Sequence, residues 1–102
     1  MERFSLDPYV VDVLMPDLAG HDRRPATFLV YLFLLRQTAR SRRDVISVSL
    51  QTIATKTGLS KSTVQGAIRH LRRRGLIDSS VAATPGAPVR KVLRPWTRRT
   101  GG

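Results

Sequence analysis

The most regular pattern of apolar and polar positions lies between residues 49 and 76. Two helical repeats lie in this stretch, at 50–57 and about 61–74, on either side of Gly58-Leu59-Ser60. Glycine accepts the positive φ that ends a helix, and a serine hydroxyl can cap the free amides of the helix that follows. Ser49 occupies the equivalent capping position before the first repeat. The pattern therefore predicts two short helices joined by a tight turn, each with a serine cap.

The second of these helices has two unlike faces. An apolar stripe at helical spacing predicts the buried face, which consists of Val64, Ala67, Ile68 and Leu71. The other positions are polar, small or basic, and we expect them on the surface: Lys61, Ser62, Thr63, Gln65, Gly66, Arg69, His70 and Arg73.

A longer helix is predicted upstream, from Pro25 to about residue 39. Pro25 suits the first turn of a helix, with Asp22 or the residues around Arg24 as its cap. Residues 28–35 are eight consecutive apolar residues, which cover more than two turns and must be buried on more than one side. The second cover is either the N-terminal segment 9–18 or another copy of the chain. We favour a symmetric homodimer, formed by the N-terminal segment and by four residues of this helix: Phe28, Tyr31, Leu32 and Leu35.

The N-terminal segment itself has two interpretations. Apolar residues between Pro8 and Pro16 fall at helical spacing, which predicts a helix between the two prolines with Ser5 or Asp7 as its cap. The valines also allow a short strand over the same residues. We favour the helix, and we expect a loop or turn over 16–24.

Short β-branched stretches around the helical pair predict strands. They lie at 45–48, before the pair, and at 77–81 and 89–94, after it. The turn-rich residues 83–88 separate the last two stretches, which therefore form a hairpin. Together the three strands predict a small sheet. Trp96 covers either the edge of the core, which we favour, or a surface that meets a partner.

The composition limits the classes of protein to which the chain can belong. Its 102 residues suffice for one domain, and there is no cysteine for a disulfide, a thiol nucleophile or a thiolate zinc site. The sequence has no glycine-rich phosphate loop and no metal-ligand spacing, so we expect no catalytic residue, no metal and no cofactor. It also lacks the roughly 18 consecutive apolar residues of a membrane span and the apolar start of a secretory signal, which predicts a cytoplasmic protein.

The distribution of charge indicates the kind of partner. The net charge is +11, and residues 1–22 hold five acidic side chains and one basic, whereas residues 23–102 hold 17 basic and two acidic. The basic charge coincides with the helical pair and is mostly arginine, which suits bidentate contacts with phosphate and guanine. A polyanion is the expected partner, and nucleic acid is the first candidate.

Two stretches carry a resemblance to a known family. They are LVYLFLLRQTAR (29–40) and VSLQTIATKTGLSKSTVQGAIRHLRRRGLI (48–77), the second with an alanine inside its first helix, TGLS at the turn and RRGLI after the second helix. The chain resembles bacterial winged helix-turn-helix proteins, in particular the compact type found as stand-alone regulators and as the DNA-binding part of phage and plasmid replication proteins. The resemblance covers about residues 9–94.

The resemblance implies a mainly α fold with a small β-sheet. This is a winged helix-turn-helix with a three-helix core, an N-terminal segment and a β-hairpin wing. It would form one domain over residues 1–94, with a leader at 1–22, the helix-turn-helix at 49–76 and the wing at 77–94. Residues 95–102 would form a flexible tail.

The resemblance also implies double-stranded DNA as the partner. The second helix would enter the major groove, the first would present its N-terminus to a phosphate, and the wing would hold the flanking backbone. Gln65 is the candidate for reading adenine and Arg69 for reading guanine. Gly66 either lets the DNA backbone approach closely or is tolerated without a function. The residues expected to contact DNA are Ser49, Gln51, Thr52, Ser60, Lys61, Ser62, Thr63, Gln65, Arg69, Arg73, Arg90 and Lys91.

Transcriptional regulation on the nucleoid is the expected role. Two alternatives stay open: a DNA-binding protein of plasmid or phage replication or partition, and a protein–protein interaction module built on the same scaffold. RNA is a less fitting partner because no array of aromatic residues for base stacking accompanies the basic charge.

Overall fold

The computed structural model describes residues 3–78 and 89–97, which form helices and short strands in the predicted order. The helices are α1 (Pro25–Ser41), α2 (Leu50–Thr57) and α3 (Lys61–Arg73), and the strands are β1 (Val45–Ser47), β2 (Ile77–Asp78) and β3 (Val89–Val92). Within the leader (1–22), helical turns at Val10–Leu14 and Pro16–His21 precede α1, and a 3₁₀ turn at Pro95–Thr97 follows β3. No helix in these described ranges has both the length and the apolar character needed to cross a bilayer.

The turn between α2 and α3 has the local structure predicted for it. The Ser49 and Ser60 hydroxyl oxygens each accept a hydrogen bond from the amide three residues further on, at 3.0 and 3.1 Å. Gly58 has a φ of 80°, and its amide donates to the Ala54 carbonyl at 2.9 Å. Because every one of these contacts lies inside the motif, the end of α2 and the start of α3 are set locally.

β3 lies at the centre of a three-stranded antiparallel sheet with the order β1-β3-β2. Its register pairs Ile46 of β1 with Arg90 and Ile77 of β2 with Val92. Strands β2 and β3 are the arms of the predicted hairpin, and residues 79–88 between them lie outside the described residues. This order of helices and strands confirms the winged helix-turn-helix fold.

The leader remains helical through Pro16, where the sequence predicts a loop. Its two turns have π-helical hydrogen bonding and are joined through Met15. Pro16 begins the second turn, a position at which its missing amide proton leaves no hydrogen bond unmade. The start of the segment agrees with the prediction, because the Asp7 carboxylate accepts a hydrogen bond from the Tyr9 amide at 2.9 Å. The alternative strand is wrong, and the predicted loop is confined to residues 22–24.

α1 begins without a side-chain cap. Arg24 occupies the N-cap position and its side chain makes no capping hydrogen bond. The predicted cap by Asp22 is therefore wrong. Pro25 stands at the first helical position, where a proline needs no partner for its nitrogen. The Asp22 carboxylate is directed toward α3 instead.

The leader covers the second side of α1. This helix packs against α3 on one side and against the Pro16–His21 turn of the leader on another. Leu18 of the leader is fully buried, and so are three side chains of α1: Val30, Tyr31 and Leu34. Because one chain supplies both covers, most of the apolar surface of α1 is buried without a second copy.

This arrangement corrects the predicted dimer interface. Phe28, Tyr31 and Leu35 are at most 7% exposed within the single chain, so a partner cannot reach them. Of the four helix residues assigned to the interface, Leu32 alone is half-buried. The prediction assigned to a second copy a surface that other parts of the same chain cover.

Trp96 covers the edge of the core, as predicted. Its ring stacks on Tyr9 with the centroids 4.9 Å apart, and it meets the Tyr31 ring edge-on at 6.4 Å. The Tyr31 hydroxyl donates a hydrogen bond to the Leu93 carbonyl at 2.6 Å. Residues 95–97 therefore pack on the domain, and the remainder of the predicted tail, 98–102, lies outside the described residues.

The contribution of the leader to the core is testable at Leu18. We expect Leu18→Ala to lower the free energy of unfolding by about 3 kcal/mol, because a buried leucine leaves a cavity when it is truncated. Urea denaturation followed by Trp96 fluorescence measures this change. Val13→Ala is the control, since Val13 lies in the same leader but is 41% exposed, and it should change the free energy by less than about 0.5 kcal/mol. Equal effects of the two substitutions would show that the leader is not part of the core.

Candidate nucleic-acid interface

The solvent-facing side of α3 brings half of the predicted contact residues together. Six of them are exposed there: Lys61, Ser62, Thr63, Gln65, Arg69 and Arg73. The opposite side is turned into the core through Val64, Ala67, Ile68 and Leu71, which are at most 4% exposed. α3 contains no acidic residue, so its exposed face carries positive charge without internal compensation.

The N-terminus of α2 lies beside this face. Gln51 and Thr52 are exposed in its first turn, and the hydroxyl of Ser49 is engaged in the cap. Ser60 plays the same role for α3, and its hydroxyl also donates to the Thr63 hydroxyl at 2.8 Å. The two serines therefore act first as structural caps, while the neighbouring polar side chains and helix amides face solvent.

A groove of about 200 Å³ separates the start of α2 from the middle of α3. Three arginines line it, together with three other side chains: Arg69, Arg72 and Arg90, with Leu50, Gln65 and Ile68. The lining contains no acidic side chain, and the N-terminus of a helix also favours an anion. A phosphate group therefore matches the charge of this groove.

Arg72 is a residue that the sequence-based prediction of contacts omits. It lies three residues after Arg69 and seven after Gln65, which places all three on adjacent turns of one helical face. This spacing was the available signal for Arg72. In the structure Arg72 is exposed and lines the groove together with Arg69 and Arg90.

Arg90 is buried, in contrast to the exposed wing residue that the sequence predicts. Its side chain is 6% exposed, and its guanidinium donates to the Val48 carbonyl at 2.7 Å. Burial lowers the pKa of Arg90, and the charge of Arg72 lowers it further. Arg90 thus ties β3 to the segment before α2 and forms the floor of the groove. Lys91, the other predicted wing contact, is exposed.

His70 is also buried, and its predicted surface position is wrong. The ring is 6% exposed, with Nδ1 3.0 Å from the Thr27 hydroxyl and Nε2 2.9 Å from the Asp22 carboxylate. Burial lowers the pKa of His70, against the opposing effect of Asp22. A neutral ring fits these partners if Nε2 carries the proton and Nδ1 accepts from the hydroxyl. His70 borders the apolar stripe of α3, and the adjoining parts of α1 and the leader enclose it.

The acidic leader neutralises Arg74, the residue that directly follows α3. Arg74 contacts the Asp17 carboxylate and places its Nε 3.0 Å from Asp22 Oδ2. A hydrogen bond from His21 lowers the pKa of Asp22, and the nearby charge of Arg74 acts in the same direction although burial opposes both. Arg74 is thereby held by the leader, whereas the basic residues of α3 itself stay exposed: Lys61, Arg69, Arg72 and Arg73.

Asp17, His21 and Asp22 are close enough to one another to hold a metal ion, and within the described ranges they are the one such group. Arg74 already contacts both carboxylates, and His70 faces the second of them. A cation at this position would have to displace the guanidinium. The cluster is therefore explained by its contacts with α3.

The fold and the basic face of α3 agree with a comparison of the chain with known families. A model of the helix-turn-helix domain family matches residues 24–77, which is more than half of the chain. The chain therefore belongs to the helix-turn-helix domain family, and its sheet makes it a winged helix-turn-helix protein of the DNA-binding type. Searches of curated proteins and of solved structures found no match.

The buried His70 predicts a dependence of stability on pH. Its pKa is lower in the folded than in the unfolded chain, where it is about 6.5. Protons therefore bind the unfolded chain first as the pH falls below about 7, and stability should decrease down to the folded pKa, by at most about 1.4 kcal/mol per pH unit. The lowered pKa of Asp22 acts with the same sign in stronger acid.

Thermal unfolding of wild type and of His70→Gln between about pH 7 and pH 5 checks this expectation. The variant should be less stable at neutral pH but lose less stability on acidification. An identical dependence on pH in both proteins would contradict the burial of a neutral ring.

Proposed function

We propose that the protein binds double-stranded DNA in a sequence-specific manner and regulates transcription, with α3 in the major groove. The observation that carries this proposal is the exposed face of α3, which is basic, free of acidic residues and presented by a capped helix-turn-helix. We propose binding without catalysis, by a protein of the cytoplasm and nucleoid.

The residues divide into those suited to bases and those suited to phosphates. Gln65 and Arg69 lie near the middle of the exposed face, where a bidentate contact with adenine or guanine is geometrically accessible. Lys61, Ser62 and Thr63 at the start of α3 suit the backbone, which typically receives half or more of the hydrogen bonds. The remaining backbone contacts would come from the last turn of α3, the first turn of α2 and β3: Arg72 and Arg73, Gln51 and Thr52, and Lys91.

Separate roles for Arg69 and Lys91 are testable by selection from a random duplex library. We expect Arg69→Ala to reduce discrimination between the selected and a scrambled duplex by about 1–3 kcal/mol, because a base contact is lost. Lys91→Ala should weaken binding to both duplexes alike and make the slope of log K against log salt about one unit less steep. Fluorescence anisotropy at several salt concentrations measures both quantities.

For the wild type, neutralisation of about six phosphates predicts a slope of log K against log salt near −5. A flat response would refute the electrostatic basis of the proposal. Equal effects of Arg69→Ala and Lys91→Ala on the two duplexes would refute the division of roles.

The regulated process is open to a direct test with genomic DNA from the source organism. Fragments that the protein retains should come from promoter regions if it regulates transcription. Recovery of a replication origin or a partition site would instead assign it to replication or partition. The anisotropy experiment with duplex RNA in place of DNA distinguishes the two nucleic acids.

We further propose a homodimer, through a surface that keeps Leu32 of the predicted interface but replaces its three buried residues. Leu32 lines a groove of about 260 Å³ whose other apolar side chains are Phe4, Leu29 and Phe33. Leu29 is 45% exposed and Phe4 37% exposed, which supports a contact at this face. A two-fold dimer would place its recognition helices about 34 Å apart or at a multiple of this distance.

Light scattering measures the mass of the protein directly. A dimer is the expected result for wild type, and Leu29→Asp should convert it to a monomer because a buried carboxylate would oppose the contact. A monomer at every concentration of wild type would refute the dimer while leaving DNA binding untouched.

A further inference from the structure

Gly66 is a glycine that the fold itself does not require. It lies inside α3, although glycine is the poorest helix former after proline. Its φ is not positive, unlike the φ values of Gly58 and Gly75. A Cβ built at position 66 would meet one neighbouring atom, Arg69 Nη2, at the ordinary contact distance of 3.9 Å. Neither backbone conformation nor internal packing therefore accounts for this residue.

The missing side chain keeps a surface groove open. Gly66 lines a groove of about 380 Å³ between α3 and the segment formed by the loop before α1 and the first turn of α1. One wall consists of Ser62, Thr63, Gly66 and Ala67, and the other of Arg23, Arg24, Pro25, Ala26 and Thr27. A larger side chain at position 66 would project into this groove. Because no residue in the described part of the chain fills that space, we look to a binding partner for the reason that position 66 is a glycine.

The charge of the groove indicates what enters it. Arg23 and Arg24 are exposed and make no ion pair within the ranges 3–78 and 89–97, and the lining contains no acidic side chain. The adjacent Asp22 is directed toward Arg74 and His70 instead. An anionic partner is therefore favoured over a protein segment, since the lining has no large apolar side chain to bind one.

The loop also holds the two arginines in place. Arg23 has a φ of 56°, an uncommon conformation for a residue with a side chain. The Arg24 amide donates to the Leu18 carbonyl at 2.9 Å, which fixes this backbone to the leader. The arginines are thus presented by a bonded loop at the edge of α3.

Two basic grooves flank α3 as a result. On the side of Gln65 lies the groove of Arg72 and Arg90, and on the side of Gly66 lies the groove of Arg23 and Arg24. A helix in the major groove has a sugar-phosphate strand on each side. We propose that the groove between Gly66 and the loop of Arg23 and Arg24 holds the sugar-phosphate backbone of one DNA strand. The proposal rests on the proposed function and adds a second backbone site on the side of α3 away from the wing.

Variants at Gly66 separate this role from protein stability. Gly66→Ala should raise the Tm by about 4 °C, because alanine favours the helix. The same substitution should weaken binding, and Gly66→Leu should weaken it about tenfold or more, since the strand would be displaced from the groove. The probe is a labelled random-sequence duplex of about 20 base pairs, roughly two helical turns, followed by anisotropy.

The arginines are tested with a matched pair of variants. Arg23→Gln/Arg24→Gln should flatten the slope of log K against log salt by roughly two units, as two phosphate contacts are lost. Arg40→Gln/Arg42→Gln removes the same charge at the other end of α1, and Arg42 has a nearly identical φ of 57°. This control should leave the slope unchanged.

The outcomes distinguish the two proposals. A wild type that binds no duplex overturns both of them. Wild-type affinity in Gly66→Leu, or an equal loss of slope in the two arginine variants, overturns the second backbone site and leaves the assignment of α3 to the major groove intact. A protein segment in the groove would appear as unchanged DNA binding in all of these variants.

Discussion

The apolar surface of α1 is the constraint on which the rest of the structure depends. Eight consecutive apolar residues leave this helix without a polar face over two turns, and each side chain of this size gains about 1.5–3 kcal/mol on full burial. α3 covers one side and the leader covers another. The face of α3 that stays exposed to a partner is therefore the face that does not pack against α1.

Polar contacts between the same elements complete the arrangement. The leader is acidic, and its carboxylates at Asp17 and Asp22 lie against Arg74 and His70 at the C-terminal part of α3. This pairing joins the leader to the end of α3 and neutralises one of the basic side chains there, although Arg74 itself stays exposed. Within the part of the chain that the structure describes, the basic charge on the exposed face of α3 and on its two flanking grooves has no carboxylate partner, which is the electrostatic condition for binding a polyanion.

Local chemistry accounts for the elements that could be predicted from the sequence. Ser49, Gly58 and Ser60 cap and end helices through groups within four residues of them, so residue type and spacing suffice. The strands of the sheet follow from β-branched residues around turn-forming ones. The exposed contact residues of α3 follow from helical periodicity once its buried stripe is known.

The errors concern residues whose partners are remote in the sequence. His70 was predicted to be exposed because it is polar and lies outside the apolar stripe, but it meets Thr27, 43 residues away. Arg90 was predicted to extend from the wing, but it bonds to Val48, 42 residues away. No periodicity within α3 or β3 contains this information, because the burial of each side chain depends on which other element packs over it.

By itself, the sequence determined the helix-turn-helix, its caps, the sheet and the basic character of the surface, since each of these depends on neighbouring residues or on total charge. Only the tertiary structure decided that the leader of the same chain covers α1, and that Arg23, Arg24, Arg72 and Arg90 flank the recognition helix. Gly66 shows the difference most clearly. Helical spacing predicts that Gly66 faces away from the core. The groove that it lines, however, is formed with a loop 42 residues earlier in the chain, which the packing of α1 on α3 brings beside it.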